Sequence, residues 1–332
     1  MINEPELGSY NTASGYVKDD LHDEFGSRHE SYPYYGFLYV VQTYNLNVVD
    51  SVLTGHTTYY EDKPATASTG WKVPDPVAMG SYDFVIEYSS NVTFTNVTQP
   101  VKTGLGDKRY WGIMSSNGSK NLSFISCSIN RFDAHAGFWN ATLKDTTIGH
   151  SLNVIGGGTL TLSGVTKLTG ANFISLRGDY GSTFRGDMII ENCTHNAYTE
   201  YNTNLGQSQS TGSYTTARVI NVGTWSSNTG WSDTDPSGAY WLWDFGYTCY
   251  MPINVTIDNF KTNARKIYVF NNLPDAIFSY NYDPNNITST SVRYPYQLTK
   301  SITFKNMSKD IPVCAGSAST YKKLNSIEIK HG

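Results

Sequence analysis

NLSFISCS, residues 121–128, carries three apolar side chains, Leu122, Phe124 and Cys127, separated by polar ones. Leu122 and Phe124 are two apart, so in a strand they share a face. Cys127 follows after an interval that suits a bend. The pattern returns in NVTFTNVT (91–98), TLTLSGVT (159–166), DMIIENCT (187–194), NVTIDNF (254–260) and SITFKNMS (301–308), with weaker copies around Val48 and Leu143. The central residues Phe124, Leu143 and Leu162 are 19 apart and 19 apart again, and Ile190 follows 28 later.

Such a repeat predicts an all-β chain folded as a right-handed parallel β-helix, a solenoid with loop insertions. One coil has a single inward stripe and cannot bury it alone; stacked coils make a continuous core. Asn, Gly and Thr beside the apolar pairs fit the tight bends between strands. A sandwich or jelly roll would need frequent hairpin signals, and dipeptides such as Asn117-Gly118 are scarce. The nine Asn-x-Ser/Thr triplets, among them those at Asn91, Asn96 and Asn140, are read as turn and strand chemistry rather than glycan sites.

Composition agrees with strands. Aromatic residues make up 14% of the chain and charged ones only 16%. The net charge of −4 gives no basic surface for nucleic acid and none for a membrane. No run approaches the length of a transmembrane helix, and residues 1–20 contain no apolar segment of signal-peptide type. Cys127, Cys193, Cys249 and Cys314 lie far apart with no Cys-x-x-Cys pair, so they are expected as buried free thiols. No metal-binding motif and no nucleotide-binding motif stands in the chain, so neither metal nor cofactor is expected.

Along the chain, 1–35 is expected as an N-terminal cap, 36–308 as the β-helix, and 309–332 as a closing segment. A long insertion over about 196–250 holds Trp225, Trp231, Trp241 and Trp243.

Chemistry concentrates in the middle. RFDAHAGFWN (131–140) sets Arg131, Asp133 and His135 at alternate positions, which predicts one exposed strip. His150 lies as far from Leu143 as Arg131 does from Phe124, so constant register would stack the two in one column. SLRGDYGSTFRGD (175–187) adds Arg177, Asp179, Tyr180, Arg185 and Asp187. Two carboxylates such as Asp133 and Asp179 are the parts of a glycoside hydrolase. A lyase would use His135 or His150 as base and Arg177 or Arg185 to stabilise the anion. Each group has a structural alternative: Arg185 can pair with Asp179, and His150 can cap a bend. Trp225, Trp241 and Trp243 are candidates for stacking on sugar rings, or for packing on the rod.

The stretch RFDAH…IGH…GGGTLTL…FISLRGDYGSTFRGD, roughly 121–195, resembles the pectin-lyase-like right-handed β-helix proteins. More narrowly, it is similar to β-helix segments of tail-spike and minor structural proteins of bacteriophages of Gram-positive hosts. The resemblance implies a virion or extracellular protein, often a homotrimer, that recognises cell-surface polysaccharide and sometimes cleaves it. By position, Asp133, His135, His150, Arg177 and Asp179 match the motif stretch and are the candidate catalytic residues; Arg131, Tyr180, Arg185, Asp187 and the three Trp residues are the candidates for substrate contact. A non-catalytic receptor-binding virion protein and a secreted bacterial lyase or glycosidase are the alternatives.

Overall fold

The computed structural model describes residues 9–11, 16–18, 36–52, 82–99, 112–116, 118–134, 137–176, 184–198, 213–222, 251–271, 299–316 and 324–332. Of these, 9–11, 16–18, 36–39, 82–84, 112–116, 130, 133 and 150 are described by backbone alone. Among the described residues there is no α-helix, and one 3-10 turn at Leu324–Ser326.

Two large sheets are parallel throughout. The first has nine strands: Asn47–Val49, Ser90–Thr95, Ser119–Ile125, Phe138–Lys144, Gly156–Ser163, Phe184–Glu191, Asn254–Asp258, Ser301–Lys305 and Glu328–His331. They stack in chain order, so each strand is one rung above the last. The second sheet, of eleven strands, stacks Gly36–Val41, Tyr82–Glu87, Gly112–Ser116, Ser128–Ala134 and Thr147–Val154, and then forks. One branch carries Thr166–Thr169, Thr194–Tyr198 and Lys261–Thr262; the other carries Asn172–Leu176, Thr216–Val222 and Lys266–Phe270. From Gly36–Val41 to Gly156–Ser163 strands of the two sheets alternate along the chain, and beyond the fork the second sheet contributes two strands for each one of the first, an all-β arrangement consistent with a parallel β-helix or solenoid. Thr216–Val222, within the stretch expected as an insertion, is thus a strand of the stack. The remaining small sheet is an antiparallel pair, Ser9–Asn11 with Tyr16–Lys18.

The repeat read from the sequence is the register of the first sheet. Phe94 pairs with Phe124, Phe124 with Leu143, Leu143 with Leu162, and Leu162 with Ile190. All are fully buried, and the rings of Phe94 and Phe124 stack at 4.9 Å with planes 2° apart. Burying each such side chain is worth about 1.5–3 kcal/mol.

Bends fall in columns as well. Asn45, Asn91, Asn121 and Asn140 all hold φ between 53° and 61°, a left-handed conformation that Asn tolerates better than most residues. Their amides form a ladder from rung to rung: Asn91 donates to Asn45 at 3.0 Å, Asn121 to Asn91 at 2.9 Å, and Asn140 to Asn121 at 3.0 Å. Thr159 N then donates to Asn140 Oδ1 at 2.9 Å. The opposite margin repeats the device with Asp50, Asn96, Ser126, Asp145, Asn192, Asn259 and Asn306 at positive φ. Asn91, Asn96 and Asn140 therefore serve as turn residues.

Cys127, Cys193 and Cys314 are buried free thiols; Cys249 lies outside the described residues. In the rung between Cys127 and Val165, the same column carries Thr146, whose hydroxyl donates to the Lys144 carbonyl at 2.9 Å. Cys127 and Cys193 make the matching contact from sulfur to Ile125 and Glu191, at 3.4 and 3.2 Å. Burial pushes the Cys193 thiol up to about 12 and raises Cys127 too, so neither is a nucleophile.

Candidate functional site

Arg131 and Asp133 lie on the strand Ser128–Ala134 of the second sheet. Arg131 is only 7% exposed, which corrects the expectation of an exposed strip. Alternation fixes the direction of a side chain, but rungs above and below can still cover a long one. The predicted Arg131–His150 column is also corrected. Ile148 pairs with Ile129 but Ser151, not His150, pairs with Arg131. The upper strand holds one extra residue there, a bulge, and that residue shifts His150 out of line.

Asp133 pairs with Met114 on one side and Asn153 on the other, and Asn153 pairs with Ser175. Asp133 is thus one position in a column of the second sheet that continues through Asn153 and Ser175. His135, Arg177, Asp179, Tyr180, Trp225, Trp241 and Trp243 lie outside the described residues.

Arg185 and Asp187 belong to the first sheet instead, on Phe184–Glu191. Asp187 Oδ1 accepts from Asn254 N at 3.1 Å and from its side-chain amide at 2.9 Å. It carries the polar column that begins at Asn45 onward to Asn254, a structural duty.

Arg185 stands in a different column, one the sequence does not reveal. Tyr44 bridges to Ser90, Ser90 pairs with Lys120, Lys120 with Trp139, Trp139 with Gly157, and Gly157 with Arg185. These parallel pairings put the residues in a single strip on the outside of the first sheet, with a register shift just beyond it, between Trp139 and Ala141. Tyr44 is 68% exposed and Trp139 50%; Lys120 and Arg185 are exposed as well. Read upward, the strip is aromatic, small, cationic, then aromatic, small, cationic. Neighbouring rungs are about 4.8 Å apart, so the two halves repeat after about 14 Å.

Gly157 is what leaves room for the Trp139 ring. A Cβ on Gly157 would sit 2.6 Å from Trp139 Cζ3 and 2.6 Å from the Arg185 carbonyl oxygen. The benzo edge of the indole therefore occupies the space beside the Gly157 backbone that a side chain would fill. The adjacent glycines are as tightly placed: a Cβ on Gly156 would meet the Phe138 oxygen at 2.1 Å, and Gly156 holds φ 133°. The triplet 156–158 opens the strand Gly156–Ser163 and permits close approach of two coils.

Beside the strip, Tyr88 is 61% exposed at φ 47°. An aromatic residue in this left-handed region is strained by about 1 kcal/mol or more. The next rungs of its column use Gly118, at φ 73°, and Gly137, at φ 101°. Strain of this kind gathers at functional sites.

The strip and the Asp133 column flank one corner. Ala134 ends a second-sheet strand and Phe138 begins a first-sheet strand, so only residues 135–137 separate them. RFDAHAGFWN thus spans both walls. The aromatic residue it offers to the surface is Trp139, which lies inside the stretch singled out for its charges.

A second polar feature is internal. Lys167 and His195 pair across rungs in an inward column that Ile129 and Ile148 begin. His195 is fully buried; its Nε2 lies 2.9 Å from the Gly170 carbonyl, to which it donates, and Nδ1 has no partner among the described residues. Burial, with Lys167 nearby, pushes its pKa down to about 3. Phe173 packs against the ring, centroids 5.8 Å apart. This neutral, fully buried imidazole sits where the second sheet forks; its role is structural. Among the described residues no three His, Cys, Asp or Glu side chains gather as a metal site.

No protein-family model, no curated protein and no solved structure matches the chain.

Proposed function

We propose that this chain is a polysaccharide-binding right-handed β-helix of the bacteriophage tail-spike kind, displayed on the virion as a homotrimer and engaging glycan of the host surface. The observation that carries this is the strip Tyr44–Ser90–Lys120–Trp139–Gly157–Arg185. Exposed indole and phenol rings, three rungs apart on one column, offer rigid apolar platforms with polar handles, as a sugar chain requires. Large aromatic and Arg side chains dominate binding surfaces because they contribute much contact area at low entropic cost. A rigid sheet holds them, which favours preorganised recognition over loop closure.

Cleavage belongs to the same corner. Asp133, one bend away from Trp139 along the chain, is proposed to act with His135, His150, Arg177 and Asp179 as the catalytic set. A glycan lying along the strip would pass that bend. Two carboxylates make a hydrolase, whereas His with Arg makes a lyase, and the products differ: new reducing ends alone, or an ultraviolet-absorbing double bond as well.

The test is binding to a panel of bacterial surface glycans by wild type and by Trp139→Ala, with released ends measured in parallel. Wild type should bind at least one glycan, and Trp139→Ala should weaken that binding by about tenfold or more. Unchanged binding in the variant would remove the strip from the proposal. Full cleavage by both Asp133→Asn and Asp179→Asn would remove the catalytic set.

A further inference from the structure

Tyr88 differs from the other bend residues. Among the described residues thirteen non-glycine positions hold positive φ, ten of them Asn or Asp, and Tyr88 is the single aromatic one. Asn and Asp visit this conformation readily; for a bulky side chain it is an outlier. Glycine would serve the bend without strain, as Gly118 and Gly137 do in the next rungs of the column. The Tyr88 side chain is 61% exposed, so burial does little to offset the strain. Its Cδ1 lies 3.9 Å from where a Cβ on Gly118 would stand. The ring thus reaches the rung above beside a glycine, as the Trp139 ring does beside Gly157.

Ser89 is buried and Tyr88 is not, so Tyr88 lies on the outward side, beside Ser90 of the strip. Tyr44 stands one rung below it and Trp139 two rungs above. The three aromatic residues therefore follow one another up the wall over about 14 Å. Above Tyr88 its own column continues as glycine. Among the described residues, a Cβ on Gly118 would meet nothing but Tyr88 within 4 Å. That bare backbone leaves room for a ligand between the Tyr88 and Trp139 rings. A sugar ring in an extended chain covers roughly one rung spacing, about 4.8 Å. Resting on the polysaccharide-binding proposal above, we infer that Tyr88 is a third platform of that site, and that the site takes a run of about four sugar residues lying along the rung axis. The first sugar rests on Tyr44 and the fourth on Trp139, with Tyr88 between them. The Tyr88 ring stabilises the complex and not the free fold, which is why a strained bend carries it.

The experiment measures affinity for fragments of a panel glycan that binds, graded in length from a single sugar upward, and the melting temperature of each protein. The proteins are wild type, Tyr88→Gly, Tyr88→Asn, Tyr88→Phe, Tyr44→Ala and Trp139→Ala. Wild-type affinity should climb until the fragment reaches about four sugars and level off beyond. Tyr88→Gly and Tyr88→Asn should bind about three- to tenfold more weakly, yet melt no lower than wild type, because both residues accept positive φ. Tyr88→Phe keeps the ring and should bind within about twofold of wild type. Tyr44→Ala should remove the gain between two sugars and four. Unchanged affinity in the Gly and Asn variants, or wild-type affinity that stops rising at one or two sugars, would overturn the inference. If Trp139→Ala still abolishes binding in that case, the polysaccharide proposal stands. If nothing on the panel binds, or Trp139→Ala changes nothing, that proposal fails and takes this inference with it.

Discussion

The two large sheets are built from the same chain in alternating strands, yet they obey different rules. From rung to rung the first sheet keeps its inward columns almost wholly apolar, from Phe94 through Phe124 to Ile190, with Asn amides bonded along its margin. The second sheet slips register between Ile148 and Ser151, splits near Gly170, and admits Lys167 and His195 where Ile129 and Ile148 stand two rungs below. A repeat can be regular on one wall and tolerate polar, bent and forked structure on another, because stacking on the regular wall fixes the rung spacing for both. The proposed binding strip lies on the first sheet, beside the one extra residue that this wall takes up between Trp139 and Ala141.

The contrast can be broken most forcefully at the core of the regular wall. Phe124→Ala removes a ring stacked on Phe94 and packed edge-on to Phe132. The expected loss is about 3–5 kcal/mol in urea or thermal unfolding. A loss below about 1 kcal/mol would mean that the first sheet does not carry the stability assigned to it.

The forked wall should be the acid-sensitive one. His195 has a folded pKa of about 3 against an ordinary 6.5. Between those values the unfolded chain takes up a proton that the folded chain refuses, so stability falls as pH drops through that window. The slope approaches about 1.4 kcal/mol per pH unit, or on the order of 3 kcal/mol by pH 4.5. His195→Leu should flatten this part of the stability–pH curve. Amide exchange at Thr166–Thr169 and Thr194–Tyr198 should accelerate in acid before exchange at Ser119–Ile125 does. Equal acceleration in both sheets would contradict the contrast.

The smallest effect tests the ladder. Asn140 holds φ 61° while donating to Asn121 and accepting from Thr159 N. Asn140→Ala should cost about 1–2 kcal/mol, from the left-handed backbone and the lost bonds together. Asn140→Gly should cost less, because it loses the bonds but not the backbone preference. The reverse order would show that the left-handed conformation contributes nothing.

These differences mark what the residues disclose before folding. The apolar triplets are visible because their spacing is local and repeats within eight residues. Asn91, Asn96 and Asn140 are visible because left-handed bends select few side chains. Buried thiols follow once Cys127 and Cys193 occupy the third apolar position of the pattern. The strip is hidden for a different reason. Tyr44, Ser90, Lys120, Trp139, Gly157 and Arg185 are separated by unequal lengths of chain, so nothing local links them until the register does. Arg185 attracts notice for its neighbours Asp179 and Asp187, whereas the column gives it to Trp139. The bulge that moves His150 depends on one extra residue, which no count from Leu143 can detect. Lys167 and His195 look like solvated residues in the text, and only the stack turns them inward.

The measurement that bears most directly on the proposed binding strip is amide hydrogen exchange of the wild-type protein, free and saturated with a glycan that it binds. Contact along the strip predicts slower exchange at Phe138–Asn140, Gly156–Gly158 and Phe184–Gly186, with no change at the opposite margin around Asn96, Ser126 and Asp145. Slowing at that opposite margin, with none at Trp139 and its neighbours, would contradict it.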